Sequence, residues 1–290
     1  MNLLKRNSEI YRQIKITKSA IGAIFRGNVK PLIGLFTYLR LESVIKEELL
    51  KSFGQDFETL NNVLYVCGFY IKKLNLSFLA LEKPIIIEFP DMAKFYMNHL
   101  FDFLHAGLYH EPKTFNFIKN ITIKIFVDVG ANIGGYSIRV AKNCKVYAIE
   151  PLPRNYKILK INEKLNNVKI NSFNLAAGNK NDKIKLYYES GKWGWASILY
   201  KRKLKEFVEV EMKTLDEIIN EESIDLIKID VEGAEDLVLE GARNCLYRTK
   251  MVIIERNESF PKAYRILREE GFKISKILDQ NVLFTKLIEN

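Results

Sequence analysis

The spacing of hydrophobic positions changes twice along the chain and divides it into three segments. In residues 1–75, Ile10, Ile14, Ile21, Ile24 and Phe25 roughly follow a helical stripe, and "KPLIGLFTYLRLESVIKEELLKSF" continues the style after Pro31. This predicts a helical N-terminal extension. In residues 76–120, "LSFLALEKPIIIEFP" holds two short apolar runs around Glu82-Lys83-Pro84, which predicts a hairpin turning there. Met92, Phe95, Tyr96, His99, Leu100, Phe103 and Leu104 then recur at helical spacing, predicting a helix that Asp91 caps. From 121 to 290 strand-like and helix-like stretches alternate, the signature of a parallel sheet covered on both faces.

Within this last segment strands are expected at about 123–129, 145–149, 168–173, 225–229 and 251–255. The insertion "DKIKLYYESGKWGWASILYKRKLKEFVEVEMK" between the third and fourth has alternating ends that read as added strands. Thr214 and Glu217 have capping-box spacing, which makes Asp216 and Glu217 helix-start residues. A helix from about Phe260 ends at Gly271, followed by "FKISKIL", the turn Asp279-Gln280 and "NVLFTKL". That last pair must be antiparallel, because a two-residue link cannot make a parallel crossover.

Composition adds bounds. With 290 residues, 48% hydrophobic and 28% charged, the chain can bury a sizeable core and is neither fibrous nor disordered. Its longest apolar stretches, such as "VLYVCGFYI", fall short of the ~20 residues that cross a bilayer. The N-terminus lacks the apolar core of a secretion signal, and Cys67, Cys144 and Cys245 are odd in number and far apart. A cytoplasmic location with reduced thiols is the expectation. Of the net charge of +10, residues 1–30 supply +6, from seven Lys or Arg against Glu9. A basic arm of this kind can touch an anionic membrane or nucleic acid; the plainer reading is a solvated helical face.

The strongest chemical signal is "FVDVGANIGGYS", where an apolar strand ends in Asp128 and then in Gly130, Gly134 and Gly135. Ligands of open α/β sheets bind beyond the carboxyl ends of the strands. The next strand, "KVYAI", ends in Glu150, 22 residues after Asp128. An acid there hydrogen-bonds ribose hydroxyls, so a nucleoside-containing cofactor is the first inference. Gly130 is followed by Ala131, Asn132 and Ile133, so the G-x-G-x-x-G that admits a pyrophosphate is missing. A carboxylate at Asp128 repels phosphate and attracts an ammonium. S-adenosylmethionine has the ribose and the ammonium, and no phosphate.

"FVDVGANIGGYS", "AIEP" and "IKIDVEGAE" together resemble the FkbM-type family of S-adenosylmethionine-dependent methyltransferases, from about Tyr109 onward. The resemblance implies a Rossmann-like α/β fold with a seven-stranded, mostly parallel sheet and one antiparallel strand. It also implies that Asp128 and Gly130, with Asn132 and Gly134 in the same loop, hold the methionine end and that Glu150 holds the ribose. Asn174, Ala176 and Ala177 are weaker candidates for the adenine edge.

A hydroxyl acceptor is a poor nucleophile and benefits from a general base. Carboxylates at the fourth and fifth strand ends are the candidates: Asp230, with Glu232 and Glu235 behind it in "IDVEGAE", and Glu255 in "MVIIERN". Acids at 230–235 also suit a helix N-terminus. Relatives place a histidine two positions after the glutamate, where this chain has Asn257, which turns attention to the carboxylates. A divalent cation would serve the same end, but no ligand pattern supports one.

His99 reads as a structural histidine, while His105 and His110 are candidates for the cleft entrance. Trp193 and Trp195 sit in a glycine-flanked segment that suits either a lid over a sugar ring or hairpin packing. O-methylation of a glycan, glycolipid or small molecule leads. An RNA methyltransferase is the runner-up because of the charge; against it, the chain lacks the Asp/Asn-Pro-Pro-aromatic segment of amino-methylating enzymes. A non-catalytic cofactor-binding regulator is third.

Overall fold

The computed structural model describes residues 80–89, 91–107, 111–190, 193–199, 204 and 206–286. The helices expected in residues 1–75, the basic arm, Cys67, His110 and Lys192 lie outside the described residues.

In chain order the elements are β1 (Ala80–Glu88), β2 (Lys94–His99), α1 (Leu100–Gly107), α2 (Pro112–Lys119), β3 (Ile125–Val129), α3 (Ser137–Val140), β4 (Lys145–Ile149) and α4 (Pro153–Leu165). There follow β5 (Asn171–Phe173), β6 (Ala176–Ala177), β7 (Asp182–Tyr188), a 3-10 turn at Trp193–Trp195, β8 (Glu206–Lys213), α5 (Leu215–Ile218) and β9 (Ile224–Ile229). The chain closes with α6 (Glu235–Glu240), α7 (Arg243–Tyr247), β10 (Thr249–Glu255), α8 (Phe260–Glu269), β11 (Phe272–Leu278) and β12 (Asn281–Lys286).

Seven strands form the central sheet in the order β11-β12-β10-β9-β3-β4-β5, and β12 is antiparallel to β10 and β11. This is the seven-stranded, mostly parallel α/β architecture that the family resemblance implies. Strand order runs outward from β3 on one side and from β9 on the other, so the topological switch falls between β3 and β9. Side-chain alternation feeds two apolar layers. Phe126, Val146, Leu226 and Ile253 face one; Val127, Tyr147, Ile227, Val252 and Ile254 face the other. The second layer is closed by Val238 and Leu239 of α6, Cys245 and Leu246 of α7, and Ala263, Ile266 and Leu267 of α8.

The segment before the sheet corrects two expectations. Residues 94–99 are a strand, not the start of a helix, and Asp91 caps no helix; it accepts from the Ala93 amide and the Arg139 guanidinium. The turn does not lie at Glu82-Lys83-Pro84, which falls within β1; β1 pairs antiparallel with β2 and the chain reverses between Glu88 and Lys94. The reason is local. Phe95, Met97 and His99 alternate with less buried Lys94, Tyr96 and Asn98, and because Tyr96 is also apolar, a period of two mimicked a helical stripe. The free edge of β2 is then satisfied by α4: Asn166 Oδ1 accepts from the Lys94 amide at 2.8 Å and Asn162 Oδ1 from the Tyr96 amide at 2.7 Å.

The Thr214–Glu217 capping box does not form either. Thr214 makes no side-chain cap, Glu217 pairs with Lys213, and Asp216 instead accepts from the Asn244 and Cys245 amides at the start of α7. The insertion supplies β7 and β8, which with β6 make a separate three-stranded sheet.

Candidate active site

Beyond the carboxyl ends of β3, β4 and β9 lies an open cleft of about 530 Å³. Val129, Gly130, Asn132, Ile149 and Glu150 form its base. Ala176, Ala177, Leu186, Trp193 and Ile198 make an apolar wall, and Asp230, Val231 and Glu232 close the third side. Among the described residues lining it there is no Lys or Arg. A few polar groups on an apolar frame suit a small organic ligand.

Gly130 shows why this loop needs glycine. Its φ is +81°, and a Cβ there would stand 1.9 Å from the carbonyl oxygen of Asp230. The loops after β3 and β9 therefore touch at a point where no side chain fits. The Gly130 and Ala131 amides both donate to the Ile149 carbonyl, at 2.9 and 3.0 Å, which ties the loop to β4 as well.

Glu150 is only 4% exposed. Its Oε2 accepts from the Asn132 amide at 2.7 Å and its Oε1 from the Leu152 amide at 2.9 Å. Burial pushes its pKa up to about 7, against the opposing pull of these amides and of the Asn155 side chain. The carboxyl is thus fixed in the cleft floor with hydrogen-bonding capacity left for hydroxyls.

Beside the cleft, Ile229 of β9 pairs with Ile254 of β10, so Asp230 and Glu255 leave adjacent strands side by side. Asp230 Oδ2 accepts from the Lys228 ammonium at 2.8 Å. Glu255 Oε2 accepts from Asn257 Nδ2 at 3.3 Å. Burial, reinforced by the negative charge of Asp230, raises Glu255 to about 7. Such a carboxyl exchanges protons at neutral pH. Glu232 has φ +58°, and its carbonyl accepts from Ser197 Oγ at 3.0 Å, which joins the insertion to this edge.

Residues 128–274 match the methyltransferase FkbM domain. The chain belongs to the FkbM methyltransferase family. It is similar to methyltransferase sdnD of Sordaria araneosa, with 30% identity over 191 residues, 52% of this chain and 74% of that protein. Among solved structures it is similar to magnesium protoporphyrin IX methyltransferase from Synechocystis PCC 6803 (9% identity, 60% of this chain, 75% of that one, TM-score 0.38). Another is a putative rRNA methylase from Clostridium thermocellum (8% identity, 62% and 96%, TM-score 0.42). Neither likeness bears on substrate or mechanism.

As an S-adenosylmethionine-dependent methyltransferase, the chain brings together much of what its sequence suggested. Gly130, Asn132, Glu150 and Ala177 line the cleft, as do Asp230 and Glu232. Three expected cofactor contacts, Asp128, Gly134 and Asn174, are not among the residues that line it. Asp128 is 2% exposed and accepts from Ser137 Oγ at 2.6 Å, which ties the end of β3 to α3. Burial raises its pKa despite the nearby Lys228 ammonium. Gly134 (φ +88°) packs against Ile138 and Leu159, and Asn174 donates to the carbonyls of Glu150 and Pro151.

Glu235, fully buried, is structural: its Oε1 accepts from the Val231 amide at 3.1 Å and its Oε2 accepts from Ser259 Oγ, stitching the loop after β9 to α8. His99 is buried at the end of β2, its ring edge-on to Trp193 with centroids 4.4 Å apart. Arg154 stacks on the same indole, 4.0 Å from its centroid, while held by Asp102 and Asn98. Trp193 is thus a wall of the cleft; Trp195 stays half exposed, and His105 does not line the cleft.

Sequence reasoning missed Lys228 and Glu111, both almost fully buried beneath Asp230. One signal was available: a lysine between Ile227 and Ile229 in a strand otherwise read as core.

Proposed function

We propose that this enzyme methylates a hydroxyl of an uncharged acceptor, a glycan, glycolipid or small molecule, using S-adenosylmethionine held in the cleft. The observation that carries the reading is the pair of strand-end carboxylates, Asp230 and Glu255, beside an open cleft lined by no Lys or Arg among its described residues. Bound cofactor supplies a methyl group on a sulfonium, open to in-line displacement.

The chain's own residues do the rest. Glu150 accepts hydroxyls of a ribose, the backbone at Gly130 and Asn132 lets the ligand approach the β3 loop, and Ala176, Ala177 and Trp193 offer apolar surface to a base. Glu255 takes the acceptor's proton and Asp230 orients the hydroxyl. Glu232 adds a third carboxylate at this edge. Three acids repel a phosphate backbone, which sets a neutral hydroxyl compound ahead of RNA in spite of the net charge of +10.

The test is incubation of the purified protein with methyl-labelled cofactor and fractionated extract. Label entering neutral glycan, glycolipid or small hydroxyl compounds as a base-stable ether supports the reading. Label confined to RNA or protein would sink it.

A further inference from the structure

Lys228 sits in the middle of the sheet, 3% exposed, where a lone ammonium would cost several kcal/mol. Its surroundings explain how it is tolerated. The Nζ donates to Asp230 Oδ2 at 2.8 Å, lies 3.9 Å from Glu111 Oε2 and stands 4.9 Å from the centroid of the Tyr136 ring. Glu111 is in turn fixed by the Tyr136 hydroxyl, which donates to Oε2 at 2.7 Å, and by Asn281 Nδ2, which donates to Oε1 at 2.6 Å. Asn281 pairs in register with Glu255 across β12 and β10. The network therefore encloses the two strand-end carboxylates from behind, and it delivers its one close ammonium contact to only one of them.

We propose that Lys228 is a positioning residue that makes the two carboxylates unequal: its ammonium pins the Asp230 carboxylate by direct contact, leaving Glu255 to accept the proton.

The use of this inequality rests on the methyl-transfer reading, but the inequality itself belongs to the protein alone. As the bond from the acceptor oxygen to the methyl forms and the bond from sulfur to methyl breaks, the hydroxyl proton moves to Glu255 and from there to solvent. The groups that act on Glu255 come from several elements: Asp230 after β9, Glu235 of α6 and Glu111 before α2 add negative charge, while Asn257 donates a hydrogen bond. Arg256, its neighbour in sequence, turns its guanidinium to the Asp279 carbonyl instead. Around Lys228, burial alone would depress the ammonium, yet Asp230, Glu111 and Asp128 hold its pKa above the ordinary lysine value. It stays charged while Glu255 titrates. Of these two neighbouring carboxyls one is held by an ammonium and the other by a neutral amide, and the second is left to move the proton.

The experiment is a pH titration by NMR of protein labelled with 13C at glutamate carboxyls, with Glu255→Gln assigning the signal. It needs no acceptor. In the unsubstituted protein the Glu255 midpoint is expected near 7. Lys228→Met removes the ammonium from Asp230 and should move that midpoint by roughly one pH unit or more, upward where Asp230 stays charged and downward where Asp230 takes up the proton instead. Asp230→Asn removes the anion and should lower it by a similar amount, and this second variant keeps the inference testable if Lys228→Met does not fold. An unchanged midpoint in Asp230→Asn, or in a folded Lys228→Met, overturns the proposal. Calorimetry of each variant with S-adenosylhomocysteine runs alongside. Loss of binding in the unsubstituted protein would count against the methyltransferase cleft, whereas normal binding with immobile midpoints would count against Lys228 alone.

Discussion

Two glutamates in this enzyme are raised to about the same pKa, near 7, yet they sit in different chemistry. Glu150, on the cofactor side, is buried against backbone amides of Asn132 and Leu152. Glu255, on the acceptor side, is buried beside the charge of Asp230 and accepts a hydrogen bond from the neutral amide of Asn257. Amides fixed by the fold make the first an immobile hydrogen-bonding floor. A neighbouring anion makes the second responsive, because its proton affinity depends on another ionised group. The lesson is that a perturbed pKa marks a site, while the identity of the perturber indicates whether the group binds or reacts.

The comparison can be broken most severely where the two sides touch. Gly130→Ala would place a methyl 1.9 Å from the Asp230 carbonyl at a φ of +81°, displacing both loops at once. Loss of about 3 kcal/mol or more in denaturant unfolding, with loss of cofactor binding, is expected. Near-native stability would show that the sides are independent. Asp230→Asn should next lower turnover on an identified acceptor by roughly a hundredfold while leaving the dissociation constant for S-adenosylhomocysteine within about twofold. A matching loss of binding would blur the division. Glu150→Ala should do the converse, weakening cofactor binding at least tenfold, about 1.4 kcal/mol, by calorimetry.

The most gradual effect is on stability against pH. Glu150 rises from an ordinary 4.5 to about 7 in the fold, so between those values the native state holds the proton more tightly than the unfolded chain. Stability therefore falls as pH rises through that window, by at most about 1.4 kcal/mol per unit. Unfolding midpoints measured from pH 5 to 7.5 should decline more steeply in the unsubstituted protein than in Glu150→Gln. Parallel curves would place the burial of Glu150 in doubt.

Much of this was legible before any coordinates. The strand ends carrying Glu150, Asp230 and Glu255, and the closing antiparallel pair β11–β12, follow from runs whose period and turn chemistry leave one solution. The ribbon β1–β2 was not legible, because Tyr96 adds an apolar residue on the outer face and a period of two then counts as helix. Nor were the supporting roles of Asp128 and Asn174, since an acid or amide at a strand exit reads the same whether it faces a ligand or braces the loop beneath one.

By itself, then, the sequence determined which residue types stand at the ends of which strands, since alternation and glycine punctuation are local properties written in neighbouring positions. The tertiary structure decided which of those side chains meet. Glu111 and Asn281 are 170 positions apart, and only the folded sheet sets both around Lys228. Charge coupling depends on distance in space and on exclusion of water, and neither quantity exists until the strands are packed.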